Sequence, residues 1–247
     1  MTAITALTER VVVNTIRDLD LPLAVLAPVV TFIGFNAILR NLIDTGGMSY
    51  PQYVLPITVI QAAVFGSITT ADRAARDEAS GFGKRLYTQP IPTVTPLLAR
   101  MLYCLLRTTL GLMATAATGF AFGFRFGGSA WQTAAFIAIA IVFPMALSFG
   151  SDALGTRLSH IEAPSQLLVL PQMLLVLLST GLAPADAFPD SVQPFVRDQP
   201  VSQLTSAMRG LSVGDVTPGQ LASGAAWSVG LLLLFGWYAF RVQRRTE

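Results

Sequence analysis

Six long stretches of apolar residues, separated by polar segments, dominate the chain. The stretches cover residues 21–39, 51–71, 101–124, 130–151, 163–185 and 216–240, and the one charged residue inside any of them is Arg107. A helix of about 20 predominantly apolar residues is long enough to cross the hydrocarbon core of a bilayer. The pattern therefore predicts an all-α integral membrane protein with six transmembrane helices.

Two of the polar segments have an amphipathic pattern of their own. In residues 2–19, apolar side chains recur at helical spacing, which predicts a helix that lies along the inner membrane surface. Residues 184–215 contain four prolines, followed by Val201, Leu204, Met208 and Leu211 at helical spacing. This predicts a short helix between spans five and six that lies at the outer surface or dips into it. Neither segment resembles a separate domain, so residues 1–247 are expected to form one transmembrane domain.

Composition and charge agree with insertion into a membrane. Hydrophobic residues make up 53% of the chain and charged residues 12%, whereas soluble domains use about 25% charged residues. A soluble globule would lack the charge to cover its surface, and a disordered chain would be less apolar. One cysteine and one histidine leave no disulfide framework and no histidine-rich metal site. No nucleic-acid partner is expected.

The basic residues indicate how the chain is oriented. If the N-terminus lies inside, most of the 16 basic residues fall on the inner side. The exceptions are Arg107 within a span and four outward arginines, Arg40, Arg125, Arg197 and Arg209. Because cytoplasmic loops are enriched in Lys and Arg, both termini are predicted to be cytoplasmic, in a multi-pass protein of the plasma membrane.

The chain lacks the groups that usually drive transport directly. Ion-coupled carriers place a carboxylate or histidine at membrane depth, but none of the six stretches contains Asp, Glu or His. A phosphate-binding loop needs a hydroxyl residue after Gly-Lys, whereas Arg85 follows Gly83-Lys84. No ATPase motif and no catalytic residue is therefore expected in this chain, which we interpret as a membrane subunit moved by a partner.

Two alternatives come from other functional classes. The first is a channel or an ATP-independent carrier, which the missing intramembrane ionisable groups disfavour. The second is a membrane enzyme, for which Asp152, His160 and Glu162 cluster in one predicted inner loop. A metal site there is not expected, because the cluster lacks a second histidine or a cysteine.

The longest inner connection, residues 72–100, is the place where a partner could push. It carries eight charged residues and the series Pro90, Pro92 and Pro96. Residues 74–78 can extend the second span beyond the bilayer, and residues 83–89 can form a short helix that Pro90 ends. A plain solvated basic loop is the alternative interpretation.

Motifs in this connection and beyond it resemble a known family. The connection contains Arg76-Asp77-Glu78, Gly81, Arg85-Leu86 and Pro90. Further along the chain stand Leu98-Ala99-Arg100, Arg107, Gly123-Phe124-Arg125-Phe126, Glu162-Ala163-Pro164, Pro184, Phe188-Pro189, Pro200 and Ala207-Met208-Arg209-Gly210-Leu211. In this order and spacing, over residues 5–245, the chain resembles ABC-2 type exporter permeases, and among them the daunorubicin/doxorubicin-resistance branch of actinobacteria.

The resemblance implies an ATP-driven exporter for a hydrophobic drug or lipid. Two permease chains, identical or homologous, would pair and bind two copies of a separate ABC ATP-binding subunit, which would hold ATP and Mg²⁺. This chain would bind no cofactor or metal itself. Residues 1–20 would be a connecting helix, residues 72–96 the coupling segment and residues 184–215 an extracellular loop. The expected contacts with the ATPase are Arg76, Asp77, Glu78, Gly81, Lys84, Arg85, Leu86 and Pro90.

A small set of residues at membrane depth provides candidates for the translocation path. They are Arg107, Gln61, Phe65, Phe143, Gln172 and Met173. Arg107 would face an anionic or lipid-like cargo, or it would snorkel to headgroups of membrane lipids or pair with Asp152 or Asp72. The glutamines would line the path or bond between helices, and the aromatic and Met side chains would form an adaptable apolar wall.

Overall fold

The fold is given by a computed structural model, which describes residues 20–38, 40, 47–81, 95–158, 160 and 164–245. These residues form helices, and no strand occurs among them. In chain order the helices are α1 (Asp20–Ile38), α2 (Tyr50–Ala79), α3 (Thr95–Ala121), α4 (Ala130–Arg157), α5 (Ser165–Leu177), α6 (Gln193–Asp198), α7 (Pro200–Val213) and α8 (Pro218–Arg245), with a 3-10 turn at Ala185–Ala187.

Five of the predicted spans correspond to helices that are long and apolar enough to cross a membrane, namely α1, α2, α3, α4 and α8. The fifth stretch, 163–185, forms only the 13-residue helix α5, about 20 Å long against a hydrocarbon core of about 30 Å. The helix stops because Ser179 Oγ donates to the Val176 carbonyl and accepts from the Gly181 amide, which closes a turn before Pro184. A sixth span is therefore not confirmed.

The long helices extend beyond the apolar stretches that predicted them. α2 continues past residue 71 to Ala79, α4 continues past residue 151 to Arg157, and α1 begins at Asp20. Acidic residues that the apolar pattern leaves outside the spans thus belong to helices, and three of them, Asp20, Asp77 and Asp152, form ion pairs with arginines of neighbouring helices.

Helix α2 occupies the centre of the bundle. It packs against α1, α3, α4, α5 and α7, and more than three quarters of its membrane-length window is buried. Its residues Leu55, Ile57 and Ile60 meet Phe32 of α1 and Phe136 of α4 in the hydrophobic core. By contrast, α8 exposes large apolar side chains such as Leu233 and Trp237, as expected for a helix that faces lipid or another membrane subunit.

The segment between α5 and α8 contains the helix predicted there. Helix α7 packs into the bundle rather than on its surface, because Leu204, Met208 and Leu211 are completely buried against the core. It ends at Gly214, whose φ of 95° favours glycine.

Some predictions fall on residues outside the described part of the chain. These are the interfacial helix at residues 2–19, the short helix at residues 83–89, and the side chains of Lys84, Arg85, Leu86, Pro90 and Glu162. Together with the cytoplasmic location of both termini, they stay predictions.

Candidate functional site

One end of α2 is a junction at which three charged side chains each contact a different helix. Asp72 Oδ1 accepts a hydrogen bond of 3.0 Å from the amide of Ser165, the first residue of α5. Arg73 Nη2 donates to Asp20 Oδ2 at 2.7 Å, at the start of α1. Asp77 Oδ2 lies 3.3 Å from Arg100 Nη1 on α3. Movement of this end of α2 would therefore be transmitted to α1, α3 and α5.

The Arg100 side chain also joins α3 to α4. Its Nε and Nη2 groups donate to the two carboxylate oxygens of Asp152, the latter at 3.1 Å. The side chain of Asp152 has no exposed surface and that of Arg100 has 7%. A buried charge is tolerated only when it is paired and hydrogen-bonded, so this bidentate contact determines how α3 and α4 meet.

The structure separates the predicted ATPase-contacting residues into two groups. Asp77 points inward to Arg100, whereas Arg76 is exposed and Glu78 is half-buried. Among the described residues neither Arg76 nor Glu78 has an ion-pair partner. Gly81 has a φ of 67°, a conformation that favours glycine at the turn after α2. Arg76 and Glu78 are thus the described charges with which a partner could pair.

The candidate path residues do not form one site. Gln61, Phe65 and Arg107 line the same cavity, but Phe143 belongs to the hydrophobic core and is 2% exposed. Met173 is largely exposed on α5. Gln172, also on α5, is buried and donates a hydrogen bond of 3.2 Å to Ser67 Oγ of α2, which is a contact between helices.

The cavity lies between α1, α2, α3 and α4 and has a volume of about 90 Å³. Its polar lining includes Gln61, Arg107, Thr108 and Ser148. Pockets for drug-sized molecules have volumes of about 300–1,000 Å³. A drug therefore does not fit within this single chain, in the conformation described.

The partner of Arg107 differs from both carboxylates that the sequence suggested. Arg107 Nη2 lies 3.5 Å from Asp20 Oδ1, not beside Asp152 or Asp72. Asp152 is already engaged by Arg100, and Asp72 accepts from the start of α5. Because α1 packs against α3, its first residue comes within reach of Arg107.

Of the three residues of the membrane-enzyme alternative, the structure describes Asp152 and His160, which differ in their exposure to solvent. Asp152 is buried in α4 and paired with Arg100, while His160 is exposed. Within the described ranges, no group of three or more His, Cys, Asp or Glu side chains has the geometry of a metal site. Asp152 has a structural partner and lacks the access to solvent that a catalytic carboxylate needs.

A second arginine, which is partly buried, connects the opposite end of the bundle. Arg209 of α7 donates to the carbonyls of Tyr53, Thr180 and Gly181 at 2.7–2.9 Å, and its guanidinium lies 3.5 Å from the centre of the Tyr53 ring. Burial lowers the pKa of Arg209 below its ordinary value, yet arginine keeps its proton in proteins. Its place in an amphipathic helix was the only signal for this contact.

Comparison with known proteins gives a consistent result. A family model described as an ABC-2 family transporter protein matches residues 24–241. The doxorubicin resistance ABC transporter permease protein DrrB of Mycobacterium tuberculosis H37Rv is 34% identical over 224 residues, which are 87% of this chain and 76% of the relative. The probable permease protein DrrC of the same strain is 27% identical over 219 residues, 85% of this chain and 76% of the relative. The daunorubicin resistance ABC transporter permease protein DrrB1 of Streptomyces coeruleorubidus is 26% identical over 209 residues, which are 85% of this chain and 71% of the relative.

Proposed function

Because the chain belongs to the ABC-2 family of transporter proteins, we propose that it exports a hydrophobic drug or lipid with energy from a separate ATP-binding subunit. It is an ABC transporter permease subunit and a multi-pass protein of the plasma membrane. Permease subunits of this kind are not themselves enzymes. In the proposed complex, two permease chains, identical or homologous, bind two ATP-binding subunits, which hold ATP and Mg²⁺.

The observation that carries this proposal is the form of α2. This helix has 30 residues and is therefore about 45 Å long, which exceeds the hydrocarbon core by several turns. Its far end carries Arg76 and Glu78, which have no ion-pair partner among the described residues, followed by the predicted coupling residues. The contacts of Asp72, Arg73 and Asp77 connect that end to α5, α1 and α3. A push on residues 76–90 would thus tilt several helices together.

We place the cargo path between the two permease chains rather than within one. The cavity of about 90 Å³ in this chain is too small for a drug. Helices α1, α5 and α8 expose apolar side chains, among them Leu26, Leu170 and Leu233. An apolar cleft between two such surfaces would open outward when the ATP-binding subunits close. The first cargo to test is an amphiphile such as doxorubicin, after which the mycobacterial relatives are named.

Charge reversal at the two unpaired residues tests this proposal. Arg76→Glu and Glu78→Arg are made in the permease co-expressed with its ATP-binding subunit, and Arg197→Glu at an exposed surface pair is the control. We expect the first two variants to lose copurification of the ATPase or drug-stimulated ATP hydrolysis, because their charges would repel the partner surface. Export and assembly equal to the control would contradict the proposed contact.

Liposomes provide a second test. Doxorubicin transport by the permease reconstituted without any ATPase would support a channel or ATP-independent carrier, and would overturn the proposal. We expect transport only when the ATP-binding subunit and Mg-ATP are both present.

A further inference from the structure

The junction of α1, α2 and α3 holds more positive than negative charge. Asp20 Oδ2 accepts from Arg73 Nη2 at 2.7 Å and from the hydroxyl of Tyr103 at 3.0 Å, while Asp20 Oδ1 lies 3.5 Å from Arg107 Nη2. Asp20 is the one carboxylate that reaches either arginine among the described residues. The side chains of Asp20, Arg73 and Arg107 are only 13–19% exposed. The Arg73 guanidinium also lies 4.2 Å from the centre of the Tyr103 ring. Among the described residues, one carboxylate between two guanidinium groups leaves one positive charge without a counter-charge in a largely buried place, which is costly.

Both arginines also have unused hydrogen-bond donors. Arg73 Nη1 and Arg107 Nε are buried and make no hydrogen bond to any residue that the structure describes. Buried polar groups are nearly always satisfied in native proteins, and a lasting exception needs an explanation. The same two side chains carry the excess charge, and of the two Arg107 lines a cavity, so a partner that satisfies Arg107 there has the properties of an anionic oxygen.

The cavity beside Arg107 provides room for such a group. Hydroxyl side chains of Thr108 and Ser148 line it together with Arg107. Gly66 makes space for the guanidinium, because a Cβ atom at this position would lie 2.1 Å from Arg107 Nη1. A volume of about 90 Å³ suits a phosphate or carboxylate and excludes a drug.

The edge of the cavity is apolar. Leu23 and Phe65 line it and are 54% and 38% exposed, so they lie at its open side. A polar, cationic floor beneath an exposed apolar rim matches an amphiphile whose anionic head enters the cavity while its hydrocarbon chains stay outside.

We propose that Arg107, with Arg73 beside it, binds an anionic oxygen group, a phosphate or a carboxylate, in the cavity between α1, α2, α3 and α4. The group comes from the head of an anionic membrane lipid or from a free anion of the same chemistry. Binding of the anionic group requires only the charges and the cavity of this chain, and is independent of the proposed function. A role for the bound lipid as cargo or as a regulator of export rests on the proposed function.

The test measures which ligands stay on the permease isolated with its ATP-binding subunit. Native mass spectrometry counts the lipids retained after purification from nanodiscs of phosphatidylcholine alone, or of equal parts phosphatidylcholine and phosphatidylglycerol. The variants are Arg107→Gln, which removes the charge, and Gly66→Ala, which keeps the charge but displaces the guanidinium. Since only the flexible end of Arg107 meets the added methyl group, Gly66→Ala is expected to fold. Arg197→Gln on the exposed surface is the matched control.

We expect the wild type and Arg197→Gln to retain phosphatidylglycerol preferentially. In Arg107→Gln and Gly66→Ala this preference should fall about tenfold, as expected for the loss of charge-assisted hydrogen bonds. A second arm adds inorganic phosphate to complexes in phosphatidylcholine and follows the melting temperature. If phosphate raises the melting temperature of the wild type but not of Arg107→Gln or Gly66→Ala, and no lipid preference is found, the ligand of the site is a free anion.

No anion preference in the wild type would mean that only water satisfies the arginines, and would overturn the proposal. Equal preference in the wild type, Arg107→Gln and Gly66→Ala would do the same. Lipid retention is independent of ATP-driven transport, which is assayed separately. A complex that retains phosphatidylglycerol at Arg107 but transports neither drug nor lipid with Mg-ATP would refute the proposed function and leave this site intact.

Discussion

Arg100 on α3 and Asp152 on α4 form a bidentate ion pair that is shielded from solvent inside the bundle. Arg100 Nη2 lies 3.1 Å from Asp152 Oδ2, and the third donor, Arg100 Nη1, lies 3.3 Å from Asp77 Oδ2 of α2. The Arg100 side chain thus links three helices with its terminal atoms. Its three donor groups all have acceptors only while both carboxylates stay in place, so the packing of α2, α3 and α4 depends on one guanidinium.

Replacing Asp152 with Asn should destabilise the protein strongly. The amide keeps the shape of the side chain but removes the negative charge, so the buried Arg100 keeps only the partly exposed Asp77 as a counterion. Loss of one partner of a buried pair costs about 3–5 kcal/mol. The free energy of unfolding in mixed detergent micelles measures this change. The control is Asp186→Asn in an exposed pair, which should change stability by less than about 0.5 kcal/mol; similar losses in both variants would refute the argument.

Several features of the fold follow from the sequence, because each depends on a local pattern. Runs of apolar residues predict six spans, five of which correspond to helices that are long enough to cross the membrane, and helical spacing at Val201, Leu204 and Met208 predicts α7. The fifth apolar run ends early as a helix because the turn at Ser179 and Gly181 uses side-chain and close-packing contacts. The hydropathy of a sequence contains no information on such contacts.

The pairings between charged side chains could not be predicted from the sequence, for a different reason. Arg100 and Asp152 are separated by 52 positions in the sequence. Arg107 pairs with Asp20, which is also distant in the sequence, and not with Asp152 or Asp72. Such pairings are set by which helices pack together. Residue type alone identified Arg107, Gln61 and Phe65 as candidates for one site, and they do share a cavity. Residue type alone did not show that Asp77 points into the bundle whereas Arg76 is exposed.

Gly155 of α4 lies close to the backbone of α2. A Cβ atom there would lie 2.1 Å from the Ala71 carbonyl oxygen, and because backbone atoms cannot turn aside, the helices would have to move apart. We expect Gly155→Ala to lower stability by about 1–3 kcal/mol. At Gly34 of α1 an added Cβ atom meets nothing within 4 Å, so Gly34→Ala should be neutral or stabilising by up to about 1 kcal/mol. Melting temperatures of the two variants in detergent check the contrast, and an equal decrease would contradict it.

Replacing Arg209 with Lys should loosen the end of the bundle at which α7 meets α2. Lysine keeps the charge but presents a single ammonium group, so it cannot donate to the carbonyls of Tyr53, Thr180 and Gly181 together. Buried carbonyls without a donor cost about 1–3 kcal/mol each. Hydrogen exchange at the amides of Thr180 and Gly181 should accelerate, while Arg197→Lys on the surface leaves it unchanged. Protection equal to the wild type in Arg209→Lys would show that one donor is sufficient there.

The neighbouring residues Asp77 and Glu78 should respond to substitution in opposite ways. Asp77→Asn weakens the contact with Arg100, so we expect a loss of about 1–2 kcal/mol in stability with the ATP-binding subunit still copurified. Glu78→Gln removes a charge that no described residue pairs with, so stability should stay unchanged while copurification weakens. Unfolding in detergent and quantitative pull-down of the ATPase are measured on the same preparations. If Asp77→Asn instead released the ATPase from a fully stable permease, Asp77 would face the partner, and the division of this segment into an inward and an outward set would be wrong.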